Sequence, residues 1–225
     1  VPEGFKLAAI TEREDPRDAF VSNQYTSLQE LPEGSIVGTS SLRRESQLRA
    51  QFPHLKVQPL RGNVQTRLRK LDEGQYAAII LAAAGLKRLG LSDRITALLD
   101  PEQSLPAVGQ GALGIECRAD RDDLVQLLQP LHHMETAYCV EAERSMSRVL
   151  GGSCQVPLGA FAEIIDGTLQ LRGFVAQPDG TRIVSDALNG KPETGIKMGQ
   201  ELAEKLIKQG ADEILASLVP AEGWK

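Results

Sequence analysis

The chain has 225 residues, of which 41% are hydrophobic, 24% are charged and 4% are aromatic, and its formal net charge is −5. This composition is typical of a soluble globular protein, and the negative charge argues against electrostatic binding of nucleic acid. No apolar run approaches the roughly 18 residues of a membrane-spanning helix, and no secretory leader is recognised, so we expect a cytoplasmic protein without a membrane partner.

Strands and helices alternate along the first half of the chain. The predicted elements are a charged linker at 12–18, strands at 5–10, 35–40, 56–60 and 76–85, and helices at 41–52, 64–74 and 92–100. The near-continuous apolar run at 76–85 is typical of a strand that is buried on both faces. This alternation indicates an open, mainly parallel α/β sheet.

The second half of the chain has a different pattern. Residues 104–118 return to strand character after a glycine-rich turn, and 121–150 are predicted to be helical with a break near Pro130. Three short runs that end in DG, DG and NG predict tight turns between antiparallel strands. With the amphipathic helix predicted over 193–210, they indicate a small, separate α+β domain from about residue 155 onward.

Arginines follow the ends of three successive predicted strands. They are Arg43 with Arg44, then Arg61, then Arg88, and Arg67 lies within the first two turns of the helix after Arg61. Ligands of open α/β sheets bind beyond the carboxyl ends of the strands. A positive charge in the first turn of a helix is unfavourable by up to about 1 kcal/mol. A bound anionic ligand would make the same arrangement favourable, because the helix start and the arginines would then both attract it.

A plainer alternative is that each of these arginines is solvated or paired with a nearby acid. The arginines as a set favour a ligand with several spaced negative charges, because they occur at three neighbouring strand ends beside small residues. These small residues are Gly38, Thr39, Ser40, Ser41 and Gly62. No Walker phosphate loop occurs, so a polycarboxylate is the better candidate. The GQG run at 109–111 is either a plain turn or a close backbone approach to that ligand.

Cys154 differs from the other two cysteines in its surroundings. It follows Gly151 and Gly152, where a left-handed helix C-cap is expected, and it lies at the junction between the two patterns. Cys117 and Cys139 are predicted to be core residues. The three cysteines have no CxxC spacing, which argues against disulfides and a metal site. We therefore expect Cys154 to face the space between domains and to be reactive or modified.

The run ERSMSRVLGGSCQVPLG at 143–159 resembles the signature of the hydroxymethylbilane synthase family, also called porphobilinogen deaminase. VGTSSLRR, LRGNVQTRL, IILAAAGLKRLG and LPAVGQGALGIECR resemble other characteristic runs of that family in the same order. The resemblance covers essentially the whole chain. It implies an α/β fold: an open mixed sheet in a periplasmic-binding-protein-like two-lobed core with an incomplete first lobe, plus a small C-terminal α+β domain with a three-stranded antiparallel sheet.

The resemblance also implies domain boundaries. Residues 1–11 and 112–129 would be a remnant of the first α/β domain, 17–105 the second domain with the arginine-lined cleft, and 134–225 the C-terminal domain with the cysteine loop. The rest of the first domain, including the family's catalytic aspartate, would lie upstream of Val1. We therefore expect no catalytic acid–base group in this chain, and no turnover by the chain alone.

The activity that the resemblance implies belongs to tetrapyrrole biosynthesis, which leads to heme and other porphyrins. Four porphobilinogen molecules would be condensed in turn, with loss of ammonia, onto a dipyrromethane cofactor held by Cys154 through a thioether. Water would then release hydroxymethylbilane. The enzyme would be a monomeric transferase with a small-molecule substrate.

The resemblance assigns roles to the site residues one by one. Carboxylates of cofactor and substrate would be bound by Arg43, Arg44, Arg61, Arg67 and Arg88. Further contacts would come from Thr39, Ser40, Ser41, Gly62 and Gln110. The rival interpretation is a two-lobed carboxylate- or anion-binding protein without catalysis, and a cysteine hydrolase would lack a well-placed histidine beside Cys154.

Overall fold

The computed structural model describes residues 1–152 and 156–218, and its strands form three separate sheets. The strands are β1 (Phe5–Ile10), β2 (Asp18–Val21), β3 (Ile36–Gly38), β4 (Lys56–Gln58), β5 (Ala78–Ala82), β6 (Ala97–Leu98), β7 (Gly114–Arg118), β8 (Leu158–Ile165), β9 (Thr168–Ala176) and β10 (Ile183–Gly190). The α-helices are α1 (Leu42–Gln51), α2 (Val64–Asp72), α3 (Ala83–Arg88), α4 (Asp122–Leu128), α5 (Met134–Val149), α6 (Gly195–Lys208) and α7 (Ala211–Ser217).

The central sheet has five strands in the order β4-β3-β5-β2-β6. Strand β3 is parallel to β4 and β5, whereas β2 is antiparallel to β5 and β6. The sheet is therefore mixed, as the family resemblance implies, and the expectation of a mainly parallel sheet is wrong for β2 and β6. Buried apolar clusters cover both faces of the sheet, around Leu68 and Leu86 on one and Leu48 and Leu55 on the other.

Two segments of this sheet differ from their predicted structure. The linker predicted at 12–18 is irregular over 12–17, but its last residue, Asp18, begins β2, a strand that was not predicted and whose four residues are all buried. The helix predicted at 92–100 is wrong, because only a 3-10 turn at Ser92–Arg94 forms before β6. The amides of Thr96 and Leu99 donate to the carbonyls of Phe20 and Asp18. Pairing with the free edge of β2 thus overrides the local helical pattern.

A two-stranded antiparallel sheet joins β1 to β7. The strand character predicted over 104–118 is confined to β7, since the preceding residues run as turns. The predicted break near Pro130 is confirmed by a 3-10 helix at Gln129–Leu131 between α4 and α5. The Ile10 carbonyl accepts from the His133 amide at 2.8 Å, and this bond ties β1 to the start of α5.

The third sheet is antiparallel, with the order β10-β9-β8, and it confirms the predicted three-stranded sheet. Asp166 and Gly167 form the turn between β8 and β9 with positive φ angles of 50° and 78°, which a tight hairpin turn requires. The third predicted turn is wrong, because Asn189 and Gly190 belong to β10 and pair with β9.

Helices α5 and α6 cover one face of this antiparallel sheet. Met146, Leu171 and Leu202 are fully buried between the helices and the strands, so burial of the amphipathic face of α6 stabilises the C-terminal unit. The other face carries Phe161 and Phe174, which cluster with Leu105. Within the described residues, no helix has the length and apolar character that crossing a bilayer requires.

Candidate functional site

A cavity of about 530 Å³ lies beside the carboxyl end of β3 and the start of α1. Such a volume lies within the roughly 300–1,000 Å³ of typical small-molecule sites. The lining includes residues 39–41, Arg43, Arg44 and Arg67. The lining also includes Ala107, Val108, Gln110, Ser147, Gly152, Val156 and Leu158. The cavity therefore lies between the central sheet and the C-terminal unit.

The polar residues after β3 shape the start of α1. Ser41 is the N-cap, and its hydroxyl accepts from the Arg44 amide at 3.2 Å, as helix starts favour. The Thr39 hydroxyl accepts from the Ser41 amide at 3.1 Å. The Ser40 hydroxyl donates to the Leu60 carbonyl at 3.0 Å and accepts from its amide at 2.9 Å. These bonds fix the backbone that carries the two arginines.

Asp18, the first residue of β2, pairs with both Arg43 and Arg44. Arg43 Nη1 lies 2.8 Å from Asp18 Oδ2, and Arg43 Nη2 lies 3.2 Å from Oδ1. Arg44 Nε and Nη2 lie 3.1 and 3.0 Å from Oδ1. For these two arginines, pairing with a nearby acid is therefore what the structure shows. The anion that compensates the positive start of α1 is internal to the protein.

Two further side chains complete this buried network. The Ser104 hydroxyl donates to Asp18 Oδ2 at 2.5 Å, and Gln110 Nε2 donates to Oδ1 at 3.0 Å. Burial alone would raise the pKa of the Asp18 carboxyl, but the charges of Arg44 and Arg43 hold that pKa well below its usual range. Asp18 is therefore a carboxylate at neutral pH, and it is not a proton donor.

The remaining predicted arginines take different positions. Arg67 lines the cavity from α2, and its Nε donates to the Gly62 carbonyl at 2.8 Å. Arg61 is exposed in the loop before α2. Arg88 is exposed at the end of α3 and donates to the Gly111 carbonyl at 2.8 Å. The cavity lining thus includes Thr39, Ser40, Ser41, Arg43, Arg44, Arg67 and Gln110, and it does not include Arg61, Gly62 or Arg88.

The GQG turn is fixed against the segment that leads into β2. Gly111 has a φ of +86°, and a Cβ at this position would overlap the Glu14 carbonyl oxygen. The Glu14 amide in turn donates to the Gly111 carbonyl at 2.9 Å. The turn therefore requires glycine for a close backbone approach, here to the protein itself, and it holds the Gln110 side chain in the Asp18 network.

Sequence reasoning missed a second buried ion pair, between Arg13 and Glu143. Arg13 Nη1 and Nη2 lie 2.7 and 3.1 Å from the two carboxylate oxygens of Glu143. Glu143 is fully buried, and it also accepts from the amides of Gly109 and Ala162. One signal in the sequence could have indicated it: Glu143 is a charged residue on the side of α5 whose other residues, such as Ala142, are buried.

The two cysteines that the structure describes agree with the sequence prediction. Cys117 and Cys139 are buried, which confirms them as core residues. Burial raises the pKa of the Cys139 thiol to about 12, so it is not a thiolate at neutral pH. Cys154 lies outside the described residues. Its described neighbours in the chain, Gly152 and Val156, both line the cavity.

Comparison with known proteins identifies the family. Residues 1–126 match the family model described as porphobilinogen deaminase, dipyromethane cofactor binding domain. Residues 137–208 match the model described as porphobilinogen deaminase, C-terminal domain. The chain belongs to the porphobilinogen deaminase family. It is therefore a transferase of tetrapyrrole biosynthesis with a dipyrromethane cofactor, and this assignment favours the enzyme over the non-catalytic receptor.

Individual relatives agree with the family models. The porphobilinogen deaminase of Nitrosomonas europaea is 73% identical over 97% of this chain and 71% of its own length. That of Methylobacillus flagellatus is 66% identical over 97% of this chain and 70% of its own length. A nutrient binding protein from Burkholderia cenocepacia bound to methionine has a TM-score of 0.37 and 15% identity, over 56% of this chain and 61% of its own. This last likeness is too weak to define the fold.

Proposed function

We propose that the cavity binds the carboxylates of the dipyrromethane cofactor and of the growing pyrrole chain, and that Cys154 holds the cofactor through a thioether. The observation that carries this proposal is the composition of the cavity lining. It brings together Arg43, Arg44 and Arg67 with Gly152 and Val156. In the sequence, Cys154 is two residues from each of Gly152 and Val156.

The charge of the lining supports an anionic ligand. Asp18 pairs with both Arg43 and Arg44, so these three side chains together have a net charge of +1. Arg67 adds a further positive charge. Among the described residues, the cavity lining contains no acid. Each pyrrole of the substrate carries an acetate and a propionate, and guanidinium groups bind carboxylates with paired hydrogen bonds. The donor set therefore fits a polycarboxylate tetrapyrrole precursor.

The cofactor, when bound, supplies the pyrrole carbon to which four porphobilinogen units are added head to tail with loss of ammonia, before water releases hydroxymethylbilane. Arg43, Arg44 and Arg67 orient the carboxylates of the bound pyrroles. Val108, Val156 and Leu158 add apolar surface to the same lining, and apolar surroundings strengthen a guanidinium–carboxylate contact by lowering the local dielectric constant. Arg61, Gly62 and Arg88, outside the lining, remain candidates for contacts with the longer chain.

The proton chemistry requires a group other than the acids near this cavity. Asp18 is held as a carboxylate by two guanidinium groups. A hydrogen bond from Arg17 lowers the pKa of the Asp15 carboxyl despite partial burial, and Lys87 adds to this effect. We keep the proposal that the catalytic acid–base group is not among residues 1–225. Incubation of this chain with porphobilinogen should then yield no bilane, and multiple turnovers would contradict that expectation.

The domain organisation is also part of the proposal. The β1–β7 sheet falls in the ranges 1–11 and 112–129, the central sheet falls in 17–105, and the three-stranded sheet falls in 134–225. This distribution supports the proposed division into a periplasmic-binding-protein-like two-lobed core and a C-terminal α+β domain. We further propose that the enzyme works as a cytoplasmic monomer, which sedimentation and fractionation would test.

Mass spectrometry of an intact full-length version of the enzyme, which includes the catalytic acid–base group, tests the anchor. The protein should carry a mass excess equal to two linked pyrroles and give a colour with Ehrlich reagent. Cys154→Ser should remove both signals without loss of folding, because no other thiol is proposed to reach the cavity. Cys139→Ala is the matched control and should keep both signals, since Cys139 is buried in the core. Retention of the two-pyrrole mass by Cys154→Ser would make the anchor assignment wrong.

A further inference from the structure

The two arginines that follow β3 differ in how much of their hydrogen-bonding capacity the described protein uses. A guanidinium has five N–H donors. Arg43 donates twice to Asp18 and once each to the Leu105 carbonyl and to Gln110. Arg44 contacts Asp18 through Nε and Nη2, and it donates to the Ile80 carbonyl at 3.3 Å. Arg44 therefore keeps more donors for a ligand than Arg43 does.

We infer that Asp18 is a positioning residue for the reaction: it fixes Arg43 and Arg44 so that their remaining donors face the cavity, and it leaves one net positive charge on the pair. This inference rests on the proposed function of the cavity. Both arginines line the cavity, whereas the side chain of Asp18 is fully buried behind them. Asp18 thus acts on the ligand only through the two guanidinium groups.

Stability alone is a poor reason to bury this charge. Taking an ion out of water costs several kcal/mol, and well-packed apolar residues often replace a buried ion pair without loss. Asp18 is instead saturated with donors from three parts of the chain, because Ser104 and Gln110 join the two arginines. A carboxylate whose two oxygens are both bonded several times holds its partners in one geometry, and that is what an arginine aimed at a ligand requires.

Asp18 also controls repulsion between neighbouring cations. Arg43 and Arg44 are adjacent in the first turn of α1, and Arg67 lines the same cavity. Without a carboxylate between them, two guanidinium groups at the positive end of a helix would separate toward solvent. Asp18 keeps them together before any ligand arrives, so that less ordering is required when a carboxylate binds.

The test replaces Asp18 by asparagine in a full-length version of the enzyme that includes the catalytic acid–base group, and it measures kinetics and cofactor content on the folded fraction. Asp18→Asn keeps the shape of the side chain but removes its charge. Its amide group then presents N–H donors where Arg43 and Arg44 need acceptors. We expect about a tenfold rise in KM for porphobilinogen, and about a tenfold fall in the fraction of molecules with the two-pyrrole mass, as for one lost charge-assisted hydrogen bond. The kcat of loaded molecules should change much less. A purely structural role would lower the folded fraction and leave KM unchanged.

Two further variants keep the test decisive. Ser104→Ala removes one neutral donor to Asp18 and should raise KM severalfold, even if Asp18→Asn does not fold. Asp15→Asn is the matched control: Asp15 lies in the same segment but pairs with Arg17 and Lys87 outside the cavity lining. It should leave KM unchanged. The inference is overturned if folded Asp18→Asn has the KM and cofactor content of the unmodified protein, or if Asp18→Asn is unfolded and Ser104→Ala has an unchanged KM.

Arg44→Leu separates this inference from the proposed function. If Arg44→Leu loads cofactor and turns over normally, the cavity is not the carboxylate site and the proposed function is wrong. If Arg44→Leu abolishes loading while Asp18→Asn behaves like the unmodified protein, the cavity assignment stands and only the positioning role of Asp18 is wrong. If both variants lose loading, both proposals are supported.

Discussion

Arg13 and Glu143 form a bidentate ion pair between the segment that enters β2 and the middle of helix α5. The exposed fractions of the two side chains are 11% and 0%. Arg13 also donates to the Gln110 carbonyl at 2.8 Å, and Glu143 accepts from the Gly109 amide at 2.7 Å. The pair therefore fixes the GQG turn whose central side chain lies in the Asp18 network.

Replacing Arg13 by methionine should be strongly destabilising. The change leaves the Glu143 carboxylate buried without its cation, and such a loss typically costs about 3–5 kcal/mol. The control is Arg182→Met, which breaks the exposed pair with Glu213 and should cost less than about 1 kcal/mol. Urea unfolding followed by circular dichroism measures both values. Equal losses for the two variants would show that burial of the Arg13 pair has no energetic consequence.

Alanine at Gly111 should disturb the GQG turn. Gly111 combines a positive φ with a close approach of the Glu14 carbonyl, whereas Gly74 has a φ of +83° and open space around it. Gly74→Ala should cost about 1–2 kcal/mol from the left-handed backbone alone. Gly111→Ala should cost clearly more, because the added Cβ displaces the segment that enters β2. Thermal unfolding of the two variants compares these costs, and a smaller shift for Gly111→Ala would contradict the expectation.

Arg44→Lys should impair cofactor loading although it conserves charge. Lysine has no planar fork, so it cannot contact Asp18, the Ile80 carbonyl and a ligand carboxylate together. We expect a loss of about tenfold or more in cofactor content, equivalent to about 1.4 kcal/mol. Arg69→Lys on the exposed side of α2 is the control, because Arg69 only pairs with Glu73 at the surface. Normal loading of Arg44→Lys would show that charge alone suffices at this position.

The acid sensitivity of folding should depend on Asp18. The pKa of its carboxyl is lowered in the folded protein: burial opposes this, but Arg44 and Arg43 outweigh it. Its stabilisation is therefore present above the unfolded pKa of about 3.9 and is lost as the pH falls below that value toward the folded pKa. In that range the unfolded chain binds a proton that the folded protein does not.

Asp18→Asn should consequently show a shallower decline of stability in acid. Below about pH 4, each proton taken up on unfolding contributes about 1.4 kcal/mol per pH unit to the slope. Urea unfolding of Asp18→Asn and the unmodified protein at several pH values between about 7 and 2 measures this difference. Parallel curves for the two proteins would contradict the lowered pKa of Asp18.

The sequence by itself determined much of the local structure and the family. Periodic apolar residues predicted α1, α2, α5 and α6, and the two Asp–Gly turns predicted the connections of the three-stranded sheet. The order of the motifs gave the family that the comparisons then showed. These features depend on neighbours close in the chain, whose spacing and turn chemistry can be read directly from the residues.

Only the tertiary structure decided which groups meet. Asp18 looked like part of a charged linker, yet it is buried, 25 positions from Arg43 and 86 from Ser104. Arg13 and Glu143 are 130 positions apart. A buried charge must have a partner, but local periodicity carries no information about which distant segment supplies it. Strand β6 and the Asp18 network were missed for this common reason, because both are defined by contacts that form only when the chain has folded.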